Sequence, residues 1–453
     1  MSRNLLIVFF LLILTSRSWG QSSDSLASVW KKAKVTGQLR HYWMASVNQG
    51  DFKDFNAAAL GGKIGVTSGS YRGFSVGAKV YTSFNVGISD LSERAPATNR
   101  LSRYELGLFD VANPNNRFIF LLGEAYLQYS NRGQLIKIGR MLLKTPMLNP
   151  QDGRMIPTLE QGIWYQNTLF PHWELTAGYI HAIAPRSTAQ WYKTQNSVGW
   201  YPEGRSALGE AGNYQGNITS PGLFIQNISF QPNPAFQARL WNYAFVNVFN
   251  ALYADVSLEK TWSSGRKLRW EGQYIWETPW GDGGNSDPSL TYFSPDFQTH
   301  LFGLRSTYSS NHQSFALAFT RILPGGQYLF PREWGRDALY TFQKRERQEG
   351  FADSWSVLLE SSYSGFRNIR VIGGYGFYHS QDVRDSQNNK YGIPAYHQLN
   401  LNSFYDFKGD WDKLGLELLV AYKIAQGNTY DDPRFVSNKV NIAIFNLIFN
   451  YDF

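Results

Sequence analysis

The strongest constraint in this sequence is a two-residue period of apolar and polar side chains that recurs along nearly the whole chain. In residues 413–425 (KLGLELLVAYKIA), Leu414, Leu416, Leu418, Val420 and Tyr422 fall on one face, with Gly415, Glu417 and Lys423 on the other. Residues 266–277 set Leu268, Trp270, Tyr274 and Trp276 against Lys267, Arg269, Glu271 and Gln273. Side chains alternate across a strand, so each segment reads as a strand with one apolar and one polar side. Eighteen such segments are predicted, near 34–44, 56–68, 71–84, 122–130, 133–142, 160–168, 172–183, 219–230, 235–246, 248–260, 266–277, 298–310, 313–321, 353–363, 367–379, 396–407, 413–425 and 438–453.

The connections alternate as well. Gly69-Ser70 and Asn131-Arg132 join neighbouring segments, and 169–171, 231–234, 261–265, 311–312, 364–366 and 408–412 are short. Between them lie the longer stretches 45–55, 85–121, 143–159, 184–218, 278–297, 322–352, 380–395 and 426–437; the connection near Val246-Asn247 is nearly absent. Short turns at one rim and long loops at the other describe a transmembrane antiparallel β-barrel of about eighteen strands, with periplasmic turns and extracellular loops. The last strand agrees. Phe445, Leu447, Phe449, Tyr451 and Phe453 recur at every second position up to the terminal residue, as a lipid-facing edge with interfacial aromatics would.

Composition fits this class. Charged residues are 17% and aromatics 16%, yet the mean hydropathy is −0.35, between a charge-rich soluble protein and a helical membrane protein. There is no cysteine, which removes disulfides, thiol nucleophiles and thiolate metal sites. Residues 1–20 read as a cleaved signal peptide: Arg3, then the apolar run Leu5 to Leu14, then Ser18 and Gly20 before the cut. Removing them lowers the formal charge from +8 to +6, because Arg3 and Arg17 leave. Residues 21–453 are then one domain in the Gram-negative outer membrane. Residues 21–33 are too short for a plug domain, and loop 322–352, though rich in charge, reads as an extracellular loop.

Strand parity assigns the charges. With the apolar face toward lipid, the lumen receives Arg40, Lys63, Lys79, Lys137, Arg239, Lys267, Arg269, Arg305, Arg370 and Lys423, together with Glu124, Glu174, Asp255, Glu259, Glu271, Glu360 and Glu417. These residues either pair across strands and hold water, or form a basic track for carboxylates. Arg140 and Arg321 break parity near strand ends, which implies rim positions or a local bulge. Barrels of about 16–18 strands leave an aqueous channel that something must narrow. Connection 143–159, with Pro146, Pro150 and Pro157 around Asp152-Gly153-Arg154, is either a constriction loop or a plain surface loop.

Three stretches resemble the OprD family of outer-membrane porins: VTGQLRHYWM at 35–44, FNAAALGGKIGVTSGSYRGFSVGAKVYTS at 55–83 and IKIGRMLLKTPMLNPQDGRMIPTLEQG at 136–162. The resemblance implies an eighteen-stranded barrel narrowed by inward-folded loops. It also implies passive, often selective uptake of amino acids, short peptides or organic anions along a basic ladder. By motif, only Asp152, Gly153, Arg154 and Pro157 carry over. The barrel is expected as monomer or homotrimer, in contact with outer-membrane lipid and lipopolysaccharide, with no nucleic-acid partner.

An enzyme or an adhesin on the same barrel is the alternative. Catalysis needs a positioned nucleophile or activated water, and the histidines (His41, His172, His181, His300, His312, His379 and His397) are scattered in sequence. No catalytic residue, metal ligand or cofactor is therefore expected. His41, His181 and His300 have lipid-facing parity, which suggests interfacial anchoring.

Overall fold

The computed structural model describes residues 26–150 and 154–453, so the expected signal peptide and Asp152-Gly153 lie outside the described residues. A short helix, α1 (Leu26–Lys31), leads into β1 (Lys34–Asn48), β2 (Phe55–Thr67), β3 (Phe74–Asn85), β4 (Phe118–Asn131), β5 (Gln134–Met141) and β6 (Leu159–Asn167). Next come β7 (Trp173–Ala184), the two-residue β8 (Tyr192–Lys193), β9 (Leu223–Asn233), β10 (Phe236–Phe245), β11 (Phe249–Thr261) and β12 (Lys267–Pro279). The chain continues through β13 (Thr299–Ser309), β14 (Gln313–Ile322), β15 (Ser354–Phe366), β16 (Ile369–His379), β17 (Tyr396–Asp406), β18 (Leu414–Ala425), α2 (Pro433–Val436) and β19 (Ile442–Asp452).

Each long strand pairs antiparallel with the next, and β19 closes on β1 with Gln38 opposite Asp452 and Asn48 opposite Ile442. β8 hangs on the end of β7 and is bypassed by the β7–β9 pairing, leaving an eighteen-strand closed cylinder. Closure pairs backbone groups that would each cost several kcal/mol, roughly, if left bare in hydrocarbon. Glycine permits one tight approach: Gly62 has φ of 141°, and a Cβ there would lie 1.8 Å from the Gln38 carbonyl oxygen.

The outer face is apolar and exposed, as at Leu39 (59%), Leu304 (62%) and Leu317 (53%). Aromatic pairs flank it, including Phe74–Tyr129 and Trp173–Phe230 near the short turns. Toward the long loops, Tyr274 and Tyr375 sit 2.7 Å from the Nδ1 atoms of His300 and His397. Arg140 packs 4.8 Å from the Trp191 ring, and Arg321 is ion-paired with Asp353 where β14 and β15 meet the long loop.

The inner face departs from expectation near the long loops. There Tyr243, Phe245, Phe249, Ile275, Leu301 and Ile322 are buried in one apolar cluster with Met147, Leu148, Phe330 and Trp334. The wall is apolar here because loops, not water, cover it. Loop 323–353 (L7) joins strands at the extracellular rim as expected but then folds inward, and loop 142–158 (L3) packs beside it.

Candidate functional site

Two buried wall carboxylates start the inward path of the loops. Glu160 of β6 accepts from the Leu143 amide of L3 at 2.9 Å, and Glu277 of β12 accepts from the Leu329 amide of L7 at 2.8 Å. L3 then docks on Tyr243, whose hydroxyl donates to Thr145 Oγ1 at 2.9 Å, and on L7, where Thr158 donates to the Glu333 carbonyl at 2.7 Å. L7 tracks along the lumen wall. Gln273 of β12 donates to the Ala338 carbonyl, Thr341 to Thr320 of β14, Gln398 of β17 to the Lys344 carbonyl, and Lys423 of β18 to the Arg345 carbonyl. Each contact satisfies a backbone or hydroxyl group that would otherwise be stranded.

Where L7 ends its traverse, positive side chains gather. Arg345 Nη2 donates to Tyr42 Oη at 2.6 Å and to Asn446 Oδ1 at 2.8 Å. Arg154 is buried over Gly107 of loop 86–117 (L2), where a Cβ would meet its Nε at 2.6 Å. Arg40 of β1 donates to the Arg154 carbonyl at 2.8 Å. Beside them stands Tyr104 of L2. Burial alone would raise its phenol, but Lys423, Arg103 and Arg345 outweigh that and bring it below the ordinary value. The acidic neighbours are weak counter-ions: burial raises the carboxyl of Glu105, against the hydrogen bonds from Ser102 and Ser46, and that of Glu346.

The residues expected from parity divide into two groups. Along the wall, Lys79 meets Glu124 at 3.0 Å, Arg239 grips Asp255 with two nitrogens, Arg269 meets Glu271 at 3.1 Å and Arg305 meets Glu360 at 2.7 Å. The first, second and fourth of these pairs join different strands, whereas Arg269 and Glu271 both belong to β12. Arg370 lies 4.4 Å from the Phe404 ring, and Lys63 is on the inward face of β2, between the outward Ile64 and Gly62. Arg40, Arg154 and Lys423, by contrast, reach the loop-built constriction.

Sequence reasoning missed Arg103, Tyr104 and Arg345. They lie in loops, where parity carries no information, and the wall residues Tyr42 and Asn446 mark the destination of Arg345 alone. Two cavities flank the loops and share no lining residue. The one toward the short turns, about 660 Å³, is bordered by Lys137, Lys144, Trp164, Arg239 and Trp241. The other, about 950 Å³, opens toward the long loops above Arg103 and Gly107. No group of histidine or acidic side chains among the described residues has metal-holding geometry.

Residues 97–356 match the family described as outer membrane porin, OprD family. Among solved structures, Pseudomonas aeruginosa OpdK with vanillate superposes with a TM-score of 0.72 at 15% identity, covering 94% of this chain and 99% of that one. Pseudomonas aeruginosa OccK9 (OpdG) gives 0.73 at 14% identity and OccK8 (OprE) 0.71 at 12%, each with 94% and 99% coverage. No curated protein matches the chain significantly.

Proposed function

Because the chain belongs to the OprD family of outer membrane porins, we propose that it passively admits small carboxylate-bearing solutes such as amino acids, short peptides or organic anions. The observation that carries this reading is the cluster of Arg40, Arg103, Arg154, Arg345 and Lys423 at the constriction, facing carboxyls that burial drives toward neutrality. Positive charge beside low-dielectric walls concentrates anions, and a planar guanidinium can engage both oxygens of a carboxylate. OpdK, solved with vanillate, offers a carboxylate-bearing precedent on the same fold.

In this proposal Lys63 and Arg370 extend the lining, and Asp152, two positions before Arg154 in sequence and outside the described residues, is assigned with it. Lys79, Arg239, Arg269 and Arg305 contribute hydrated, charge-balanced wall. Residues 1–20 act as the cleaved export signal, and the barrel works as a monomer or homotrimer. Liposome swelling tests the solute class. Vesicles carrying the protein should swell faster in glutamate or benzoate than in neutral sugars of similar size. Equal rates for charged and neutral solutes would leave a porin without the proposed preference.

A further inference from the structure

The cavity above the constriction has a charge balance that the solute path does not require. Nine of its lining side chains are Arg or Lys and two, Glu203 and Asp432, are acidic. Both acids are already engaged. Glu203 accepts from the amides of Tyr214 and Gln215, and Asp432 is chelated by Arg434 at 2.6 Å.

Four of the basic groups are held by neutral carbonyls, whereas Arg332 and Lys390 share the single carboxylate of Glu349, at 3.8 Å and 4.0 Å. Arg205 donates to the carbonyls of Arg384 and Val383, Lys439 to those of Tyr391 and Gly392, Arg103 to that of Asn438, and Arg94 to that of Asn99. A carbonyl satisfies a donor but cancels no charge. Lys390 is 3% exposed and its ammonium makes no hydrogen bond among the described residues; it stands 4.7 Å and 4.9 Å from the Tyr214 and Tyr292 rings and 4.0 Å from Glu349. The crowding is visible at Lys439, whose ammonium is pushed well down by burial and by Arg100, Arg103 and Arg205. Five separate loops supply these cations: 86–117, 185–222, 323–353, 380–395 and 426–441. Hydrogen bonds hold several of them in fixed, mutually repulsive positions.

The geometry points to a binding site for a small anion carrying several negative charges, with clustered phosphate or carboxylate groups. The inference rests on the porin reading and deepens it by assigning a valency and a site above the constriction that adjoins it at Arg103. A single carboxylate would relieve little of the repulsion, whereas one multivalent anion would bridge several cations at once. The same chemistry is offered by a soluble phosphate compound and by the phosphorylated core of lipopolysaccharide.

Single-channel recording separates these sources. Pyrophosphate added on the long-loop side should block current at a concentration roughly tenfold below that needed for acetate. Arg100→Gln with Lys439→Gln should abolish that difference while open-channel conductance persists. Arg434→Gln, at the exposed rim, is the second variant should the first not fold, with a smaller shift in the same direction. Block by pyrophosphate assigns the site to free solutes. Lack of block, with purified lipopolysaccharide retained by the wild type and lost by the variant, assigns it to the lipid. Equal block by pyrophosphate and acetate, with no variant-sensitive lipopolysaccharide binding, overturns the inference. A folded protein with no conductance at all would instead overturn the porin reading beneath it.

Discussion

Arg40 Nη1 donates to the main-chain carbonyl of Arg154 at 2.8 Å, so the first barrel strand holds the far end of L3 through the backbone of a second arginine. The same guanidinium donates from Nε to Asn450 Oδ1 of β19 at 2.7 Å. One side chain thus ties the closing seam of the cylinder to the loop that narrows it. Arg40→Gln is expected to lose charge-assisted bonds worth about 1.5–3 kcal/mol. Thermal unfolding in detergent should show a lower midpoint, and single-channel records should show noisier current as L3 loosens.

Wall and constriction arginines should behave differently. Arg305 is compensated by Glu360 and Arg269 by Glu271, so neutralising both arginines removes charges already balanced. Arg345 is bonded to the neutral groups of Tyr42 and Asn446. In a salt gradient, Arg345→Gln is expected to lower the anion-to-cation permeability ratio by a factor of roughly 2–10, and the wall double substitution by much less. Asp255→Asn should act in the opposite direction, since it leaves the Arg239 guanidinium without its carboxylate.

L7 depends on Trp334 for its seat. The indole is fully buried, 5.1 Å from the Phe245 ring and 5.6 Å from Phe330, and its Nε1 donates to Ser197 at 2.8 Å. Trp334→Ala should cost about 3–5 kcal/mol through the cavity it leaves. Because the loop rather than the barrel loses its anchor, the expected outcome is increased proteolysis within 323–353 with barrel circular dichroism unchanged. Loss of the β-signal would place Trp334 in the barrel's own folding core.

Tyr104 reports the field at the constriction. Its phenol lies below the ordinary value because Lys423, Arg103 and Arg345 outweigh burial. As pH rises toward about 10, the ordinary phenol range, Tyr104 should ionise before an exposed tyrosine and add one negative charge to the narrowest part of the path. Anion preference should therefore fall with alkalinity, and Tyr104→Phe should flatten that dependence.

The barrel was legible because lipid and water impose opposite demands on alternate residues, and that signal survives without tertiary knowledge. The terminal run from Phe445 falls on β19 as the period places it, and the short turn expected at Asn131-Arg132 lies one residue on, at Arg132-Gly133. L7 was not legible for the converse reason. Arg332, Asp337, Arg347 and Glu349 belong to the charge-rich stretch expected as an extracellular loop, yet inside the lumen they form a mutual network, with Arg347 3.5 Å from Asp337 and 4.0 Å from Glu349. Their partners lie within the loop and in Lys390 of loop 380–395, so no local pattern distinguishes a buried network from a wet surface. Arg154 was reachable through its motif, but its seat over Gly107 required knowing that L2 also turns inward.

The most direct test is the reversal potential of the purified protein in a planar bilayer under a potassium chloride gradient. A water-filled barrel narrowed by Arg40, Arg154, Arg345 and Lys423 predicts discrete single-channel steps with a reversal potential on the chloride side of zero. Discrete steps with a potassium-side potential would contradict the positive constriction, and a correctly folded barrel that passes no ions would contradict the channel itself.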